Sequence, residues 1–224
     1  MQNSIVLCES DKLNIEEQLD VFYKLVMNRL LPAFSGLEKE ADNIEKEMLI
    51  KSNANFNQNT MDEACVVENA YFKGINHYSL QYQMKQSFIN VSTLWLYHLF
   101  EQQLNNISLK TIEKFDYTKH NSKDQINEFL IEKGLYDKVN CKKINELRLV
   151  ANTIKHAEGG SKKNLKEERP DLFTRGLGLN EKVTIPLFEN EICVSELEFS
   201  KYHNAIVGFW ADYFIKIPVV ISSI

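Results

Sequence analysis

Glycine and proline are scarce in this chain, 8 and 4 among 224 residues, so few positions invite a turn or forbid a helix. Long elements with few breaks follow, and that favours helix. The four cysteines, Cys8, Cys65, Cys141 and Cys193, are widely spaced with no Cys-x-x-Cys pair, so free buried thiols of a reducing cytosol are the plain reading. An excess of positive charge is also missing: the formal net charge is −5 and the isoelectric point is about 5.6. Nonspecific coating of nucleic acid needs a basic surplus, so that class is excluded while a small local RNA site is not. No apolar stretch approaches the ~20 residues of a membrane span, and residues 1–10 lack the basic start and apolar run of a signal peptide. A cytoplasmic protein without membrane association is expected. There is no Gly-rich phosphate loop, no Gly-x-Ser-x-Gly elbow, no zinc-type Cys/His spacing and no Glu-x-x-His pair for a di-metal bundle. No cofactor and no metal are expected.

What is present is an ordinary globular balance, 44% hydrophobic and 25% charged, at a length that suits one domain. Asn14 with Glu17 predicts the start of a first helix, whose stripe is Ile15, Leu19, Phe22, Val26 and Leu30. Pro32 and Gly36 predict a kink. Thr60 with Glu63 opens a very long helical stretch reaching about Asn106, with a break plausible near Gly74. Its aromatic second half, Phe88 to Leu104, is expected to be the most buried helix. Ser122 with Gln125 caps a short helix closing at Gly134. A helix from Asn140 to the Gly159-Gly160 pair, a short charged one over 161–169, and a last one capped by Ser195 and Glu198 complete the set. Residues 182–188 and 191–194 read as a β-hairpin. The expected fold is an all-α bundle of five or six helices with a small β-hairpin insertion before the last helix. Residues 1–59 would form an N-terminal helical segment or arm, and 60–224 the bundle proper.

The helix over 140–156 carries the chemistry. Ile144, Leu147, Val150, Ala151 and Ile154 point inward, while Arg148, Asn152 and His156 are four apart and flank that buried face, with Lys155 beside them. Such a stripe suits metal-free phosphodiester cleavage, because RNA brings its own 2′-OH nucleophile and asks only for proton transfer and charge stabilisation. His156 is the general acid/base. Arg148 or Lys155 holds the phosphate, and Asn152 orients the histidine. Lys162 and Lys163 follow as phosphate contacts. A plainer reading stays open: a basic last turn also complements the helix dipole. His98 reads as a core histidine with Glu101 as its polar exit, and Tyr71, Phe72, Tyr78 and Tyr82 as core or a dimer seam.

The segment from Leu147 to His156, Leu-Arg-Leu-Val-Ala-Asn-Thr-Ile-Lys-His, resembles the signature helix of HEPN (higher eukaryotes and prokaryotes nucleotide-binding) domains, and Trp95 to Glu101 resembles the helix before it. The resemblance covers about residues 60–217. It implies a helical bundle of bacterial toxin or phage-defence type acting on RNA as a metal-independent endoribonuclease. It also implies a homodimer with both motifs lining one groove, and an antitoxin or defence-system protein as partner. Asn152, Lys155 and His156 match the family pattern. Ala151 stands where the family's Arg precedes the Asn, and Arg148 lies one turn earlier, ~12 Å along the axis from His156 against ~7.5 Å for the common spacing. A catalytically inactive HEPN-like dimerisation module is the alternative.

Overall fold

The computed structural model describes residues 7–56, 62–113, 115–116, 118–173, 192–217 and 219–220. The described chain is all-α: α1 (Glu9–Lys24), a π-helical turn (Leu25–Leu30), a 3-10 turn (Leu31–Phe34), α2 (Leu37–Ala54), α3 (Glu63–Thr111), α4 (Lys119–Glu132), α5 (Val139–His156), α6 (Gly160–Glu168), a 3-10 turn (Pro170–Phe173) and α7 (Glu196–Lys216). The one departure is a two-residue parallel pairing of Leu7–Cys8 (β1) with Val219–Val220 (β2). None of these helices is long and apolar enough to cross a membrane. The expected hairpin lies outside the described residues except for Ile192, Cys193 and Val194, which form no strand. Asn90 holds them instead, donating to the Ile192 carbonyl at 2.8 Å and accepting the Val194 N–H at 3.2 Å. The Thr60 cap also lies outside the described residues. The chain groups into two compact units, Met1–Lys24 with Ile89–Ile224, and Leu25–Phe88.

In the Leu25–Phe88 unit the expected break at Pro32 and Gly36 is real: Pro32 stands at the start of a 3-10 turn, and Gly36 precedes α2 with φ +83°. Gly74 turns out to be no break. α3 runs unbroken for 49 residues, and a Cβ on Gly74 would lie 2.9 Å from the Ala41 carbonyl oxygen. The glycine is there for close approach of α3 to α2, a role that a sequence reading for flexibility misses. Phe34 and Phe88 pack at 6.0 Å, and His77 Nε2 faces Glu40 at 3.5 Å.

In the other unit the most buried helix is α7. Phe199, Tyr202, Phe209, Trp210 and Tyr213 are all 2% exposed or less, and each contributes about 1.5–3 kcal/mol by leaving water. The expected candidate, the second half of α3, buries Leu96 and Phe100 but leaves Val91 and Trp95 exposed. Its aromatics fall on both faces, so richness in aromatics did not equal burial. Two polar pairs lie inside: Trp210 Nε1 donates to Gln103 Oε1 at 3.0 Å, and Thr111 Oγ1 lies 2.9 Å from the Tyr213 hydroxyl. Burial pushes the Tyr213 hydroxyl up to about 12. Ser195 caps α7 as expected, accepting the Glu198 N–H at 3.1 Å.

Two helix starts differ from expectation. α1 begins at Glu9 rather than Asn14, because Asp11 already accepts the Cys8 N–H at 3.1 Å and pairs with Lys110 at 2.6 Å. α4 begins at Lys119, and Gln125 accepts the Asp116 N–H at 2.9 Å rather than joining Ser122 in a box.

Candidate functional site

α5 is amphipathic in the expected sense: Cys141, Ile144, Leu147, Leu149, Val150, Ala151 and Thr153 are buried. It packs on α7 and α6. Its first turn lies tight on α7, where a Cβ on Gly208 would meet Asn140 Nδ2 at 2.6 Å, and Asn140 donates to Asp212 at 3.3 Å. The helix stops at His156 rather than at the glycine pair. Ala157 adopts φ +57°, and its N–H closes the last turn on the Thr153 carbonyl at 2.9 Å.

The α5 stripe is therefore graded. Arg148 and Asn152 are half-buried, whereas Lys155 and His156 are exposed on the final turn. Arg148 and His156 remain two turns apart, and no hydrogen bond or ion pair joins Arg148, Asn152 and His156 among the described residues. Lys163 is exposed at the start of α6. Lys162 has another use: its ammonium meets Glu158 at 2.5 Å, and this hydrogen bond holds the Glu158 carboxyl below its usual range.

The cations on this side of the unit fall into two sets. One set is consumed by structure. Arg169 makes a fork-to-fork pair with Asp171, at 2.9 and 2.7 Å, and also meets Glu146 and Glu198. Lys143 bridges Glu146 at 2.8 Å and Glu198 at 3.2 Å over the Tyr202 ring. Lys201 holds the other Glu198 oxygen at 2.6 Å, and the Tyr202 hydroxyl donates to Glu146 at 2.7 Å. The Asp171 hydrogen bonds push Arg169 upward. Burial pushes Tyr202 up, aided by Glu146, and the hydrogen bonds from Lys201 and Lys143 outweigh burial to hold Glu198 low. The second set, Arg148, Lys155 and Lys163, makes no ion pair or hydrogen bond among the described residues. It is the set that lies on the α5–α6 stripe.

On α3 the sequence reading named His98 and Glu101 but not Tyr97 beside them. Tyr97 is buried, and burial pushes its hydroxyl upward; Glu101 beside it pushes the same way and the Arg148 guanidinium pulls it back. Glu101 in turn takes His98 Nδ1 at 3.1 Å. A carboxylate only accepts, so Nδ1 is the donor of this hydrogen bond. The His98 side chain is 42% exposed, which corrects the core-histidine reading. Trp95, three residues before it, is 60% exposed. The spacing His98-x-x-Glu101 was the available signal, since residues three apart on a helix are neighbours. Among the described residues no group of three or more His, Cys, Asp or Glu side chains is placed to hold a metal. The chain matches no family model, no curated protein and no solved structure.

Proposed function

We propose that this is an RNA-directed, HEPN-like helical domain that cuts single-stranded RNA without a metal, with the strand lying along the α5 stripe. The observation that carries this reading is the division of the cations: Lys143, Lys162, Arg169 and Lys201 are paired with carboxylates, while Arg148, Lys155 and Lys163 keep their charge for something else. A stripe of unneutralised cations with half-buried Asn152 in its middle suits a run of phosphates. Arg148 offers a fork to a phosphate, Asn152 a hydrogen bond, and Lys155 and Lys163 offer point charges. His156 is the titratable group on the stripe itself and supplies proton transfer at its open end. The chain acts as a homodimer in this reading, under control of an antitoxin or defence-system protein.

A second reading draws on the exposure of Lys155 and His156. Groups standing in water gain little from a preorganised, dry environment, and this favours an HEPN-like module that has lost cleavage and docks on a partner protein. Binding separates the two. Anisotropy of a labelled single-stranded oligoribonucleotide, measured across salt concentrations, gives a negative log–log slope if the stripe binds phosphates. Arg148→Ala and Lys155→Ala each flatten the slope by ~0.7. No binding at low salt, or a slope that neither substitution changes, rejects the RNA reading.

A further inference from the structure

From Gly74 to Phe100, α3 carries one lysine, Lys85, and no Asp, Glu or Arg, in a chain that is 25% charged. A helix half in water ordinarily keeps charged and polar groups on its outer face. Here that face is apolar: Leu80 is 61% exposed, Met84 60%, Val91 42% and Trp95 60%. Lys85 falls one step of ~100° from Met84, off this row. The row continues to exposed Lys73 at one end and exposed Gln102 at the other, with exposed Ser87 in its middle. Lys73, Met84 and Trp95 are spaced eleven residues apart, as are Leu80, Val91 and Gln102. Eleven residues make three turns with ~20° left over, so the row runs almost straight along α3 for ~43 Å. The four apolar side chains leave on the order of 100 Å² each open. Together that is a patch of ~400 Å², the size that marks an interaction site rather than scattered surface carbon.

The row is also palindromic. Counted outward from the Ser87–Phe88 bond, Leu80 and Trp95 stand equally far away, as do Met84 and Val91, and as do Lys73 and Gln102. Two copies of α3 laid antiparallel across a two-fold axis at that bond set Leu80 on Trp95 and Met84 on Val91, and each contact occurs twice. At both ends Lys73 meets Gln102 and the oppositely charged Glu101 beside it, whereas a parallel pairing would set Lys73 on Lys73. That difference fixes direction more than strength. We infer that this chain pairs with a second copy of itself through an isologous, antiparallel contact of α3 on α3, centred on Ser87. A stable interface takes ~800 Å² from each partner. The apolar row gives about half of that, and the flanking rows along two helices ~8–10 Å apart supply the rest. The inference takes up the homodimer of the reading above and rests on no other part of it.

Sedimentation of the full chain and its variants tests the contact. Wild type is expected to run as a dimer, and the emission of Trp95 to move to shorter wavelength as protein concentration rises. Met84→Lys and Val91→Glu each place two unpaired charges in the seam and weaken self-association by ~100-fold or more. Both positions stand in water in the single chain, so circular dichroism is unchanged. Mixing the two variants gives a heterodimer, because the new lysine of one copy meets the new glutamate of the other while the second contact stays Met84 on Val91. The double variant pairs with itself again, which a merely unfolded protein would not do. A wild-type dimer that survives both single substitutions overturns the α3 contact and leaves the homodimer standing. Monomeric single variants with no rescue on mixing overturn the antiparallel register. A wild type that is monomeric at every concentration overturns the homodimer as well and assigns the row to a different protein. RNA binding is decided apart from all of these, by the salt titration above.

Discussion

Replacing Glu146 by alanine tests whether the charge cluster under α7 is a structural clasp. Glu146 accepts from the Tyr202 hydroxyl at 2.7 Å and from Lys143 at 2.8 Å, and also pairs with Arg169. Tyr202 is 0% exposed, so its hydroxyl would be left buried without a partner, at a cost of about 1–3 kcal/mol. The Lys143 and Arg169 side chains keep 23% and 20% exposure, so water reaches them and Glu198 still holds both. Their loss belongs near the top of the surface range, about 1 kcal/mol, rather than at the 3–5 kcal/mol of a fully buried pair. The sum is about 3 kcal/mol, or a fall in Tm of ~6–12 °C for a chain of this length. Tyr202→Phe removes the hydroxyl with its partner still satisfied and costs about 1 kcal/mol. In that background Glu146→Ala leaves no orphan hydroxyl, so the pair is coupled by about 1–2 kcal/mol. Urea unfolding followed by the fluorescence of buried Trp210 reads all four corners of the cycle. A loss below 1 kcal/mol for Glu146→Ala, or strict additivity, refutes the reasoning.

Other consequences are separate. Gly74→Ala puts a methyl group 2.9 Å from the Ala41 carbonyl oxygen, and backbone has little room to give. Thermal unfolding is expected to show a loss of about 1–3 kcal/mol, although alanine is the better helix former; a gain would mean that α2 and α3 are not so close. His203 is 9% exposed and stacks on Tyr23 at 4.3 Å, and burial holds its imidazole below the usual 6.5. Because the unfolded chain takes up a proton more readily, stability is full above pH 6.5 and falls as pH drops below it. The slope is at most about 1.4 kcal/mol per pH unit. His203→Gln is expected to flatten the dependence of Tm on pH between 7 and 5, and an unchanged slope contradicts this.

The sequence made local features legible. Ser195 and Glu198 announced the α7 cap because both partners lie within one turn, and the α5 stripe announced its buried face through the 3.6-residue repeat. Long-range features were not legible. Arg169 meets Glu146 and Glu198, partners 23 and 29 residues away, and only its pair with Asp171 lies within reach of a local reading. Gly74 showed the same limit, since a glycine that permits close approach and one that permits bending are written alike. Asn14 and Ser122 had the spelling of caps, but Asp11 and Gln125 were already bound to backbone outside the helices predicted for them. For the site, the α5 residues could be named, while the exposure of His98 depended on how α3 packs, which its own aromatic neighbours did not reveal.

The central claim is metal-free cutting of RNA, and the most direct measurement is incubation of the purified full chain with a single-stranded oligoribonucleotide in EDTA, with mass analysis of the ends. The account predicts cleavage to 2′,3′-cyclic phosphate and 5′-hydroxyl termini, with the 2′-O-methyl strand left whole. Intact RNA after incubation with folded protein contradicts it and transfers the case to the silent docking module.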